Sequence, residues 1–195
     1  PIFAKANNIA SVQWTAMDPP LRETMLARGD VDAITGFTFT SLLNLEARGV
    51  KAEDVTILQY PDYGVKLYGN AIIASPKLLK ENPAAVKAFL SAFTKGMKDV
   101  LAKPGVAIET VKARDGIINS ALETRRLQLA INTVINSADA RAEGFGQVKG
   151  PRLSLMASQV SDAFNTKSRV NPDAVWNGSF LPSAAELNIL SSAKK

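Results

Sequence analysis

Phe37 and Thr38 follow the run Val31-Asp32-Ala33-Ile34-Thr35 through a single glycine, Gly36. A phenyl face stacks on a planar ring, and a threonine hydroxyl donates to an anion or accepts from an amine. Gly36 gives the backbone freedom to turn, or lets a ligand approach the main chain closely. Trp14, at the exit of an earlier apolar run, offers a second aromatic wall, with a place in the core as its plain alternative. Arg22 lies near the start of a helix, where it can meet an anion, although a helical arginine most simply faces solvent. This is binding chemistry rather than bond-making chemistry. The chain has no histidine and no cysteine. It therefore lacks the commonest general base, the commonest zinc ligand and a thiolate nucleophile, so neither Ser-His-Asp catalysis nor metal hydrolysis can be assembled from it alone.

The elements that must carry these side chains are legible from their punctuation. Asp18-Pro19-Pro20 opens a helix with an N-cap residue and proline in the first turn, and Gly29 closes it. The pattern predicts a strand over 11–14, a helix over 18–28, a strand over 31–35, a helix over 39–48 and a strand over 55–58, with connections short enough for βαβ crossovers. Alternation of this kind implies a parallel sheet covered by helices, with ligands bound beyond the carboxyl ends of the strands. Residues 14–17 and 36–40 lie at those ends. The first helix is expected to bury Leu21 and Met25 and to send Arg22 and Glu23 elsewhere. The second carries Leu42, Leu43 and Leu45 before Gly49 stops it.

Tyr60-Pro61-Asp62-Tyr63-Gly64 and Gly69-Asn70 flank an extended segment that leads to an apolar strand over 71–74, and glycine and proline here mark a passage between two lobes. Asp62 and Tyr63 are candidate ligand contacts, with hinge and turn roles as the simpler alternative. Beyond Ser75 the pattern is helical. Asn82 and Pro83 start a long helix with Val86, Phe89, Leu90, Phe93, Met97, Val100 and Leu101 on one stripe, expected to be core packing. Pro104 interrupts it, a shorter helix runs to about Arg114, another spans 119–135, and a further one begins near Pro151. One strand is too little for these stripes to pack against, so a preceding segment is expected to supply more.

The 195 residues, 46% apolar and 21% charged, can bury a full core as one domain or two small ones. No apolar run approaches the roughly 20 residues of a spanning helix, and no signal-peptide pattern is present. The start at Pro1, without methionine, reads as a processed or truncated chain. A net charge of +5 arises from 23 basic residues scattered among 18 acidic ones, which points to a solvated mixed surface and not to nucleic acid. The adjacent pair Arg125-Arg126 is expected to face water, with docking to a partner protein as the alternative. No metal or cofactor is implied.

Taken in order, these residues resemble the periplasmic substrate-binding proteins of ABC importers, in the branch that handles nitrate, taurine, aliphatic sulfonates and thiamine-pyrimidine precursors. The resemblance rests on Ala4-Lys5-Ala6-Asn7-Asn8-Ile9 leading to Val12-Gln13-Trp14, on Gly29-Asp30-Val31-Asp32-Ala33, and on Asp62-Tyr63-Gly64 through Leu67-Tyr68-Gly69-Asn70. It continues through Ser75-Pro76, Glu81-Asn82-Pro83 and Phe180-Leu181-Pro182. It implies an α/β, two-lobed periplasmic-binding-protein-like (type II) fold with the N-terminal part of the first lobe missing. Residues 1–70 would form part of the second lobe, as parallel βαβ units. Residues 71–195 would be the returning strand and helices that complete the first. Phe37 and Thr38 occupy a place that family uses for ligand contacts.

The function implied is a non-catalytic receptor that closes two lobes on a small aromatic, heterocyclic or anionic solute, in the periplasm or anchored by lipid outside the cytoplasm. Its partners would be the solute, the membrane permease, and either the missing N-terminal segment or a second copy of the chain. An effector-binding domain of a transcription regulator is the alternative, and it requires a DNA-binding segment upstream. A eukaryotic branch makes the thiamine pyrimidine enzymatically, but with a cysteine-rich motif and a histidine that this chain lacks.

Overall fold

The computed structural model describes residues 1–190 of the chain. Eleven α-helices occur among them. They are α1 (Ile2–Ala6), α2 (Arg22–Arg28), α3 (Thr38–Glu46), α4 (Pro76–Glu81), α5 (Pro83–Ala102), α6 (Pro104–Arg114), α7 (Ser120–Ala130), α8 (Ala138–Glu143), α9 (Gly150–Phe164), α10 (Pro172–Val175) and α11 (Ala184–Leu187). Helix α7 continues into a π-helical turn, Ile131–Ile135.

The local signals account for where these helices start and stop. Gly29 ends α2 in the left-handed region at φ 77°, a conformation that costs glycine nothing. The Asn82 carboxamide accepts from the Ala85 amide at 3.2 Å and starts α5. Ser183 and Glu186 close a reciprocal capping box on α11.

The expected strands are absent. Residues 11–14, 31–35, 55–58 and 71–74 carry no sheet pairing among the described residues. Within 11–14, 31–35 and 71–74 no backbone group bonds to another backbone group. The α/β architecture expected from the alternation is therefore not seen among the described residues, which are helical with bare intervening runs. A strand is stabilised only by a neighbour that shares its ladder, and these runs have none. Their side chains are correspondingly exposed: Ile73 is 91% and Ile72 48% accessible.

The chain divides into two compact units. The first comprises Pro1–Gln13, Leu58–Lys95 and Gly146–Asn188. Here α1 lies on α9, with the Lys5 ammonium donating to the Asp162 carbonyl at 2.6 Å. Phe3 meets the Tyr60 and Tyr63 rings, each at 5.3 Å between centroids. Arg152 of α9 donates to the Leu67 carbonyl at 2.7 Å and stacks 4.2 Å over the Tyr68 ring. Val65, Leu153, Ala157 and Leu187 are the buried apolar residues of this unit. Phe89 and Phe93, expected in the core, stack on each other at 6.3 Å and remain 56% and 40% exposed.

The second unit comprises Trp14–Ile57, Gly96–Phe145 and the segment from Ile189. It is organised on α3, which meets α2 and α7, while α6 packs on α7. Leu43, Leu45 and Ile108 are buried. Around α2 the expected burial is reversed for two residues: Leu21, just before the helix, is 50% exposed and Glu23 only 1%. Arg125 and Arg126 do not simply face water. Arg125 forms a forked pair with Glu46 at 3.1 and 2.7 Å.

The hydrogen bonds from Arg125 hold the Glu46 carboxyl below its ordinary range. A carboxylate whose pKa is lower in the folded state stabilises the fold above the unfolded value, about 4.3 for glutamate, and loses that contribution as pH falls through the folded value. Acid unfolding of wild type and Glu46→Gln should therefore converge below about pH 4 and separate above it. Because both partners are exposed, the separation should shrink in high salt. Parallel curves at every pH would remove this pair from the stability of the second unit.

Candidate functional site

Gly36, Phe37 and Thr38 lie at the start of α3 in the second unit, and α2 packs beside them. Phe37 occupies the N-cap position in extended backbone (φ −91°, ψ 131°), so it offers no side-chain oxygen to the first turn. Its carbonyl instead accepts from the Thr40 and Ser41 amides, each at 2.9 Å. Phe37 and Phe39 stack with centroids 5.2 Å apart and planes inclined by 22°. Phe37 remains 42% exposed, which leaves an aromatic surface available to a ligand.

Beneath this loop the polar groups are tightly committed. Glu23 is 1% exposed and accepts from the Ser41 hydroxyl at 2.7 Å. Arg22 Nη1 donates to the Thr35 carbonyl at 2.8 Å, and Nη2 lies 3.8 Å from the Glu23 carboxylate. Arg22 Nε is buried without a partner, so this guanidinium keeps one unspent donor. A side chain at position 36 would meet the Ser41 hydroxyl directly and come within 3.7 Å of Arg22 Nη1. Gly36 is thus a requirement of the close approach between the loop and α3, whatever its part in binding.

The first turn of α3 is gripped from α7. Arg126, whose side chain is 21% exposed, donates to the Phe39 carbonyl at 3.2 Å, the Thr40 carbonyl at 3.5 Å and the Asn44 carboxamide oxygen at 3.4 Å. Glu123 fixes the same guanidinium at 3.1 Å.

Of the residues singled out in the sequence, Gly36, Phe37 and Thr38 come together with Arg22. Trp14 belongs to the same unit, is 58% exposed and makes no hydrogen bond or ring contact with the described residues. Asp62 and Tyr63 belong to the first unit, in the turn Tyr60–Tyr63 that Gly64 ends at φ 76°. There the Tyr63 carbonyl accepts from the Asn7 amide group at 3.2 Å. Ser41 is not singled out by the sequence, and Glu23 and Arg126, expected away from the core and facing water, are instead engaged with α3. Their roles arise where helices meet, and only the placement of Ser41 five residues past Gly36 hinted at a contact with the loop.

The site offers a cation, a hydroxyl, an aromatic face and a close backbone approach. Among the described residues no cluster of acidic side chains could hold a metal ion, and no helix is long and apolar enough to cross a membrane. A family model described as NMT1/THI5 like matches residues 4–107, just over half of the chain, and the match includes every residue of this site except those on α7. The chain belongs to this family, the nitrate, sulfonate, taurine and thiamine-precursor binding branch of ABC substrate-binding proteins. The family implies a periplasmic-binding-protein-like fold and comprises, typically, non-catalytic solute receptors. Comparison with curated proteins and with solved structures gives no significant match.

The buried pair and the glycine can be tested directly. Ser41→Ala leaves a buried carboxylate without its hydroxyl donor and should lower unfolding stability by about 1–3 kcal/mol in urea. Gly36→Ala should be destabilising in wild type and largely relieved in the Gly36→Ala, Ser41→Gly double variant, because the obstructing hydroxyl is then gone. A fully additive double variant would show that the two positions do not touch.

Proposed function

We propose that this chain is the receptor of an ABC importer that binds a small planar aromatic or heterocyclic solute carrying an anionic group. The observation that carries the reading is the half-exposed Phe37 ring at the start of α3, next to Gly36, where an added Cβ would lie 3.7 Å from Nη1 of the partly exposed Arg22 guanidinium. The ring supplies stacking area and the guanidinium pairs with a carboxylate, sulfonate or phosphate. A receptor of this kind acts by differential affinity: solute held between two lobes favours the closed arrangement, which the permease recognises. The two-lobed α/β fold, with residues 1–70 in one lobe and 71–195 in the other, an extracytoplasmic location and a non-catalytic role belong to the same proposal.

The proposal includes further strands that complete the sheet, supplied by a preceding segment or by a second copy of the chain. Surface area supports this. The accessible surface is 13441 Å² for 20.8 kDa. A folded monomer of that mass exposes about 9,000 Å², and two separate bodies of half the mass together expose roughly 10,800 Å². The excess is comparable to what an obligate interface buries. Val12, Ile57, Leu58, Ile72 and Ile73, all in or beside the bare runs, are at least 41% exposed.

The test is a thermal-shift screen of the full chain against pyrimidines, aromatic carboxylates, sulfonates and nitrate, each with Phe37→Ala beside wild type. A ligand at about a hundred times its dissociation constant adds roughly 2.7 kcal/mol, on the order of 5–10 °C for a protein of this size. The expected result is a clear shift with aromatic anions that Phe37→Ala reduces. Equal shifts in both proteins, or a response to nitrate alone, would overturn the aromatic reading.

A further inference from the structure

In the first unit, a concavity of about 430 Å³ opens at the C-terminal end of α9, lined by Lys5, Ser161, Asp162, Asn165, Thr166, Lys167, Ser168 and Arg169. Three cations face a single carboxylate there. We propose that it is an oxyanion site for a phosphate dianion, either free or as a phosphate monoester, independent of the solute reading given for Phe37.

The lining is a rigid hook. Asn165 ends α9 in the left-handed region at φ 48°, ψ 50° and turns the chain back across the helix end. The Thr166 amide donates to the Ser161 carbonyl at 3.2 Å, the Val170 amide to the buried Ser161 hydroxyl at 3.0 Å, and the Thr166 hydroxyl to the Ser168 carbonyl at 2.7 Å. Arg169 Nη1 ties the hook to α9 through Asp162 at 2.8 Å and Ser158 at 3.1 Å. These anchors engage both acceptors of Asp162: its carboxylate is bound by Arg169 and its carbonyl by Lys5. The Lys5 contact also offsets the negative pole at the end of α9, which would otherwise repel an anion.

The donors, by contrast, are in surplus. Lys167 and Ser168 make no side-chain hydrogen bond with the described residues, and their backbone amides donate to none of them. Lys5 and Arg169 each keep further N–H groups beyond those engaged. A concavity lined by three cations, with the Lys167 and Ser168 amides donating to no other described residue and its one carboxylate paired to Arg169, fits a compact multiply charged oxyanion.

The full chain is titrated with inorganic phosphate while the amide resonances of residues 165–169 are followed by NMR, with sodium chloride at matched ionic strength as the comparison. Lys167→Met tests the site, and Lys112→Met, on α6 in the second unit, serves as a control. Lys167 is exposed and unpaired, so its replacement should leave the melting temperature unchanged. Saturable shifts with phosphate and not with chloride, weakened roughly tenfold in Lys167→Met alone, are expected from the loss of one charge-assisted contact. Equal responses to chloride, no response, or an unchanged affinity in Lys167→Met would overturn the proposal. Co-sedimentation with phosphatidylcholine vesicles containing phosphatidic acid separates the sources. Binding that Lys167→Met abolishes assigns the phosphate to a lipid headgroup, and no sedimentation alongside saturable phosphate shifts assigns it to a soluble ligand.

Discussion

Helix α3 stays in register because two neighbours spend charged groups on it. From α2, the carboxylate of Glu23 is taken almost wholly out of water and meets the Ser41 hydroxyl at 2.7 Å. A buried carboxylate without partners costs several kcal/mol, so α2 and α3 are held to the one relative position in which that hydrogen bond forms. From α7, Arg126 reaches carbonyls of the first turn of α3 and the Asn44 side chain, while Arg125 holds Glu46 near the far end. Interior carbonyls of a helix already accept along the helix, so Arg126 uses their second lone pairs and is steadied by Glu123. The loop Gly36-Phe37-Thr38 is the direct continuation of this clamped helix. Its aromatic face is placed by electrostatics remote from any ligand.

The longer helices were readable because their signals are local. Gly29, the Asn82-Pro83 step and Pro104 act within a turn of the residue that carries them, and α2, α5 and α6 stop or start there. The loop at Gly36 was readable for the same reason. The assignment of faces on α2 was not: with seven residues the helix is too short for periodicity to outvote a tertiary contact, and Glu23 went inside while Leu21 stayed out. Arg125 and Arg126 looked solvated because nothing in their own helix shows that α3 lies beside it. Ser41 and Glu23 are eighteen residues apart, and only the docking of two helices joins them.

The runs at 11–14, 31–35, 55–58 and 71–74 illustrate a different limit. Alternating or continuous apolar residues establish that a segment would be favourable in a sheet, but the ladder that makes a strand is supplied by another segment. Here the side chains keep their preference and the backbone lacks its partner. The outcome is exposed isoleucine next to unpaired amides, a combination that natural proteins cover or charge because it templates pairing with another chain. The family match spans all four runs, so the residues that lack partners are family residues and not an unrelated insertion.

In the proposed function, sheet completion and ligand binding meet at the loop that begins with Gly36. The run 31–35 leads straight into Gly36, and the Thr35 carbonyl is held by Arg22. If a neighbouring strand were to pair with 31–35, it would fix the backbone that sets the distance between Gly36 and Ser41 and, through Thr35, the orientation of Arg22. Ordering that segment costs roughly 1–2 kcal/mol per residue in backbone entropy. A solute bound at the loop in the unpaired state would have to meet that cost from its affinity, whereas a paired strand would already have met it. Under the proposed function, solute affinity at Phe37 and completion of the sheet are therefore linked quantities: a segment that supplied the ladder would also preorganise the site.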